Sequence, residues 1–114
     1  MLTIPIPHKF QIFGHTYKVR QYKRVNKGKD YGEHDFNTKK IKLERSSEQH
    51  NQDKVEETYL HEIVHCILDH LGYDKTLSAD EKFVEQFSRA LHQILKTSEY
   101  GYNDNSKENS PGQP

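Results

Sequence analysis

Residues 59–71 read YLHEIVHCILDHL, a stretch that joins a pair of histidines to a run of aliphatic residues. At about 100° per residue, its aliphatic side chains gather on one face of an α-helix, which predicts a helix packed against the rest of the domain. His61 and His65 lie four residues apart along the edge of that face, so both imidazoles can reach one cation. The aliphatic residues of the face are Leu60, Ile63, Val64, Ile67, Leu68 and Leu71.

The segment from His61 to His65 has the form H-E-x-x-H. In this arrangement two neutral imidazoles hold zinc, and the intervening Glu62 acts on a zinc-bound water as general base. A chain with eight histidines can place two of them at this spacing by chance, and they would then be half-exposed helix histidines. The match falls inside a strongly amphipathic helix, which favours the metal interpretation.

Length and composition indicate one small domain with no general attraction to nucleic acid or membrane. The 114 residues include 17 Lys and Arg against 17 Asp and Glu. Balanced charge gives no overall pull toward either partner. The single Cys66 allows no internal disulfide, and neither a targeting segment nor a membrane span is visible, so a cytoplasmic setting is expected. A nucleic-acid patch is the weaker alternative for one basic run: Arg20, Lys23, Arg24, Lys27 and Lys29.

The remaining patterns predict an α+β fold. Alternating apolar residues in 9–22 and 31–44 predict two hairpins that form a small antiparallel sheet. A second helix is predicted at about 78–96, with its apolar face packed against the first helix. That face contains Phe83, Val84, Phe87, Ala90, Leu91, Ile94 and Leu95. We expect residues 1–97 to form one domain and residues 98–114, rich in Asn, Ser, Gly and Pro, to be a disordered tail.

A catalytic zinc usually has three protein ligands, so one is still required. Asp69 and His70 follow on the first helix, but a helix carries them away from the metal. Glu81 and Glu85 lie at about 105° and 145° from the centre of the second helix's apolar face, so Glu81 is the favoured ligand. The alternative role for Glu81 is a capping box with Ser78.

The stretches YLHEIVHCILDHL and DEKFVEQFSRALHQIL together resemble small metallopeptidase-like domains of the ImmA/IrrE type, found in phages and other mobile elements. In that family the helix after H-E-x-x-H carries a Glu ligand followed by small residues and Phe. The resemblance implies that Glu81 is the third ligand. This chain has Glu85 where the family usually has Asn. Its connection between the two helices is also shorter than in many members, which leaves SprT-like zincins as the nearest alternative. The matching positions are Glu81, Val84, Glu85, Phe87 and Ser88.

The resemblance implies a zinc metallopeptidase that cleaves a specific intracellular protein, such as a regulator, in a bacterial host or phage-infected cell. Tyr73, His70 and His92 are candidates by position for stabilising the oxyanion, and none is assigned. The alternative function is a zincin-fold module that binds a protein without cleaving it. A third interpretation is a small α+β domain with incidental histidines. Replacing Glu62 by Gln separates the first two, because only a peptidase needs its carboxylate.

Overall fold

The computed structural model describes residues 3–28, 30–47 and 50–101, and its elements confirm the predicted α+β class. Four strands precede two helices. The strands are β1 (Lys9–Ile12), β2 (His15–Tyr22), β3 (Gly32–Asp35) and β4 (Lys40–Glu44), and the helices are α1 (Gln52–His70) and α2 (Glu81–Thr97).

The strands form one four-stranded sheet in the order β1-β2-β4-β3. Both predicted hairpins are present: β1 pairs antiparallel with β2, and β3 pairs antiparallel with β4. The first hairpin turns at Phe13 and Gly14, whose φ angles are +48° and +81°, the backbone of a type I′ turn. The two hairpins are joined by a parallel pairing of β2 with β4, so the sheet is mixed and the prediction of a wholly antiparallel sheet is wrong in this respect. Alternating apolar residues identify strands but not the neighbours of each strand.

The core lies between the sheet and α1. Its buried residues are Tyr17 and Val19 from β2, Ile41 and Leu43 from β4, and Cys66 from α1. The Cys66 thiol is fully buried, and this burial raises its pKa. A thiol held protonated in an apolar environment is a packing group and not a nucleophile.

Local residues set both ends of α1. Asn51 is the N-cap, and its side chain accepts a hydrogen bond of 2.9 Å from the backbone N–H of Lys54. The helix stops before Gly72, whose φ of +88° favours glycine. Among the described residues, neither helix combines the length and the apolar character needed to cross a membrane.

The start of α2 differs from the prediction. The helix begins at Glu81 with Asp80 as N-cap, and the Asp80 side chain accepts a hydrogen bond of 3.1 Å from the backbone N–H of Phe83. The capping box led by Ser78, which was the alternative role for Glu81, is therefore not formed. Asp80 is a strong capping residue closer to the helix, and the Ser78 hydroxyl contacts a histidine of α1 instead.

The orientation of α2 also differs from the prediction. Only part of the predicted apolar face is buried: Val84 is fully buried, and Phe83, Leu91 and Leu95 are half-buried. The buried stripe of α2 consists of Val84, Ser88, His92 and Lys96. Phe87 and Ile94 remain 52% and 61% exposed. Polar contacts between the helices explain this rotation, because His92 and Lys96 of α2 turn toward Glu56 of α1. Hydropathy alone does not predict such contacts.

The chain after α2 is only partly described. The helix ends at Thr97, and residues 98–101 contain no helix or strand. The predicted tail spans residues 98–114, and its part from residue 102 onward lies outside the described residues.

Candidate metal centre

Three predicted ligand residues meet where α1 faces the first turn of α2. His61 and His65 lie one turn apart on α1, and their ring centroids are 4.9 Å apart. The Glu81 Oε1 atom lies 3.3 Å from His61 Nε2 and 3.1 Å from His65 Nε2. The potential ligand atoms of the three residues all lie within 4.8 Å of one another. This group can hold a metal ion.

The other ring nitrogens of both histidines also have partners. His61 Nδ1 lies 3.2 Å from Glu85 Oε2, and His65 Nδ1 lies 2.9 Å from Ser78 Oγ. With the proton on Nδ1 in each ring, the Nε2 lone pairs face the Glu81 carboxylate. Histidine ligands in metal sites are commonly oriented in this way by a hydrogen bond from the second nitrogen.

Glu81 and Glu85 therefore occupy different places around His61. The Glu81 carboxylate lies between the two Nε2 atoms, whereas Glu85 contacts His61 on the opposite ring nitrogen. Helix geometry explains this difference, because the two residues are one turn apart on α2 and their side chains reach different sides of the imidazole. Glu81 is 66% exposed at its side chain, so the group is open to solvent on that side.

Glu62 lies in the wall of a cavity of about 180 Å³ next to this group. The residue is only 8% exposed, and His61 and Glu85 line the same cavity. Burial, followed by the negative charge of Glu81, raises the pKa of Glu62 from 4.5 to about 8. Among the described residues, no cationic side chain pairs with Glu62. Its carboxyl group is therefore a strong proton acceptor once ionised.

No protein-family model, curated protein or solved structure matches this chain. The resemblance to ImmA/IrrE-type domains therefore remains a prediction from the motif and the helix that follows it.

The two alternative ligands on α1 lie away from the metal group. The Tyr17 hydroxyl is 2.8 Å from His70 Nε2 and 3.2 Å from His34 Nε2. His34 Nδ1 in turn lies 3.5 Å from Asp69 Oδ2. Asp69 and His70 thus belong to a polar network above the sheet. Burial lowers the pKa of His34, which favours its neutral form in this network.

His92 belongs to a second cluster, which the sequence analysis missed. Glu56 is fully buried, and its Oε1 atom lies 3.0 Å from His92 Nε2 and 3.1 Å from Lys96 Nζ. Its Oε2 atom accepts a hydrogen bond from the Ile4 backbone N–H. Lys96 Nζ also lies 3.0 Å from Asp53 Oδ1. Asp53, Glu56 and His92 have metal-ligand spacing, but the Lys96 ammonium already supplies the positive charge between the carboxylates. We interpret this cluster as an ionic clamp between the helices.

One sequence signal could have indicated part of these partners. On α2, Ser88, His92 and Lys96 recur every four residues, the spacing of a polar stripe that faces a neighbour. Ser78 lies in the loop and has no periodic signal, so only the structure identifies it as the partner of His65.

The predicted basic patch stays a prediction, since Lys29 and the side chain of Lys27 lie outside the described residues.

Proposed function

We propose that this protein is a zinc-dependent peptidase. His61, His65 and Glu81 would hold the metal, and Glu62 would act as general base. One observation carries the proposal: a single carboxylate oxygen of Glu81 lies within 3.3 Å of the Nε2 atoms of both histidines. The H-E-x-x-H spacing puts the two histidines one helical turn apart, and Glu81 would be the third donor that catalytic zinc requires.

The donor spacing fits zinc. Tetrahedral zinc with ligand bonds of about 2.0–2.1 Å separates neighbouring donor atoms by about 3.3 Å. The distances from Glu81 Oε1 to the two imidazole nitrogens are 3.1 and 3.3 Å. Two imidazoles and one carboxylate are also a donor set typical of catalytic zinc, and the exposed side of Glu81 leaves access for water and substrate.

The chain's own residues account for the proton transfers. When bound, zinc supplies a Lewis acid that acidifies water and polarises a peptide carbonyl. Glu62 accepts the proton of the attacking water at its carboxylate as the oxygen bonds to the carbonyl carbon. It then donates that proton to the amide nitrogen as the C–N bond breaks, so Glu62 returns to its starting state. Glu85 and Ser78 keep the imidazoles in one orientation through both steps.

The sheet offers a place for an extended substrate. β3 is an edge strand of the sheet and contacts α1. Unpaired backbone groups on an edge strand can bind a peptide by strand addition. We propose that a segment of a specific intracellular protein, such as a regulator, binds along β3 with its scissile bond near Glu62.

Metal content of the purified protein tests the site directly. We expect about one zinc per chain in the wild type, and loss of zinc in His65→Ala and Glu81→Ala. His15→Ala is the matched control, because it removes an exposed histidine from β2 and should leave zinc bound. A wild type that binds no zinc after reconstitution would rule out the proposed peptidase.

A second experiment separates a peptidase from a module that only binds protein. Wild type and Glu62→Gln are incubated with a peptide mixture from a bacterial proteome, and new termini are identified by mass spectrometry. We expect cleavage by the wild type only, with equal zinc content in both proteins. If both bind zinc and neither produces new termini, the non-catalytic module is favoured.

A further inference from the structure

The face of the sheet that points away from α1 is basic, although the whole chain has 17 Lys and Arg against 17 Asp and Glu. β1, β2 and β4 turn alternate residues toward α1, so the residues between them project from the opposite face. The strand register places Lys18 between Lys9 and Lys40, and it places Arg20 beside Lys42. We call this surface the basic face. It consists of Lys9, Lys18, Arg20, Lys40 and Lys42, with Tyr22 at its end.

Few carboxylates offset this charge. Lys42 Nζ lies 3.9 Å from Glu33 Oε2, and within the described part of the chain the other four cations of the basic face have no carboxylate partner. The acidic residues on the same side of the sheet are Glu33 and Asp35 on the edge strand β3 and Glu44 at the end of β4. Positive charge is therefore concentrated on β1, β2 and the start of β4.

This arrangement is unfavourable for the sheet itself, because like charges directly opposite each other on neighbouring strands repel. Lysine on an edge strand can prevent pairing with other chains, which would explain Lys9 on β1. Lys18 and Lys40 lie on the central strands β2 and β4, where no edge needs protection. A face that served only solubility would mix both signs of charge. The opposed cations therefore indicate a polyanionic partner.

We propose that the basic face binds single-stranded nucleic acid. Its cations lie about 4.8 Å apart across the strands and about 6.8 Å apart along them, so a polymer with a phosphate on every unit meets several at once. Tyr22 follows Arg20 on the same side of β2 and is 42% exposed, so its ring can stack on a base. The strand positions of this face include no aliphatic residue, whereas binding to a bilayer surface also relies on apolar side chains.

The proposed activity goes beyond that of the metal centre and does not depend on it. The metal group lies between α1 and α2, and α1 lies on the side of the sheet opposite the basic face. Both surfaces can therefore be occupied at once. The binding assays contain a metal chelator, so their results separate the basic face from zinc and from peptidase activity.

Fluorescence anisotropy with a labelled oligothymidylate of about 12 nucleotides tests the proposal on the full chain. Four unpaired cations predict that the logarithm of the association constant falls with the logarithm of salt concentration with a slope of about −3. Lys18→Gln and Lys40→Gln should each raise the dissociation constant about fivefold at about 0.1 M salt and make the slope shallower by about 0.7. Tyr22→Leu should raise the dissociation constant about fivefold to hundredfold and leave the slope unchanged, because stacking releases no counterion.

Two controls exclude trivial causes. Lys82→Gln makes the same chemical change at an exposed position on α2, which packs on α1, and it should bind the oligonucleotide as the wild type does. Lys18→Gln relieves the repulsion with Lys9 and Lys40, so it should raise the melting temperature by about 1–5 °C at low salt. A loss of binding in a variant that is more stable than the wild type does not come from unfolding.

Three outcomes would overturn the proposal. The first is a wild type that does not bind the oligonucleotide at low salt. The second is a Lys18→Gln, Lys40→Gln double variant that binds as tightly as the wild type, which would place any binding elsewhere on the chain. The third is tighter binding to a DNA duplex or to phosphatidylserine vesicles than to the single strand, which would assign the basic face to that partner instead.

Discussion

Replacing Glu62 by Gln should stabilise the metal-free protein at alkaline pH, although it should abolish peptidase activity. The fold buries this carboxyl group near Glu81, and its pKa is raised to about 8. In the unfolded chain the group ionises near 4.5. At pH values between these two pKa values, the Glu62 carboxyl group is ionised in the unfolded chain and protonated in the folded protein. The free energy of unfolding therefore falls as pH rises through this window.

The magnitude follows from the width of the window. A difference of about 3.5 pKa units corresponds to about 5 kcal/mol when the carboxyl is ionised in both states. Gln does not ionise, so the variant avoids this loss. We expect nearly equal stability of wild type and Glu62→Gln at pH 4.5, and an advantage of about 2–5 kcal/mol for the variant at pH 8.5.

Urea unfolding after removal of metal with a chelator measures this difference. Glu99→Gln is the control, because it makes the same chemical change at an exposed position after α2. The difference in the free energy of unfolding between this control and the wild type should depend little on pH. Added zinc should reduce the Glu62→Gln advantage, since a cation nearby favours the ionised carboxylate. A Glu62→Gln difference that is constant with pH would refute the argument that burial holds this group protonated.

Three further predictions concern the neighbours of the site and the helix contacts. Glu85→Ala should weaken zinc binding about 10–100-fold without abolishing it, because His61 loses its Nδ1 partner; competition with a chromophoric chelator measures the affinity. Glu56→Gln should lower the free energy of unfolding by about 3 kcal/mol in urea, because it removes a buried carboxylate from the ionic clamp. Gly32→Ala places a Cβ 2.5 Å from Thr58 Cγ2 and should cost about 1–3 kcal/mol in thermal unfolding, and adding Thr58→Ser should restore most of the loss.

Much of α1 could be predicted from the sequence because its signals are local. Asn51, Gly72 and the four-residue spacing of the histidines act within one or two helical turns of their own position. The same holds for the two hairpins, each of which pairs strands that are neighbours in sequence. The parallel pairing of β2 with β4 is not local, and alternating hydrophobicity does not specify it.

The orientation of α2 could not be predicted because ionic contacts compete with apolar burial there. Hydropathy predicts Phe87 and Ile94 toward α1, but the buried Glu56 carboxylate on α1 requires polar partners. Lys96 supplies a cation and His92 a ring nitrogen within hydrogen-bond distance, and α2 rotates accordingly. Glu81, which helix geometry favoured over Glu85 as the third ligand, lies between the two histidines, while the contact of Ser78 depends on how the loop folds.

The contacts at the two ends of α2 fix the number of residues between them. Glu81 contacts the histidines at one end, and Lys96 contacts Glu56 and Asp53 at the other, 15 residues and about 22 Å away along the helix. One residue inserted between them would turn one end by about 100° relative to the other, and both sets of contacts could not form together. The loop before α2 has no such constraint. Homologues should therefore vary in loop length while keeping this spacing on α2 unchanged.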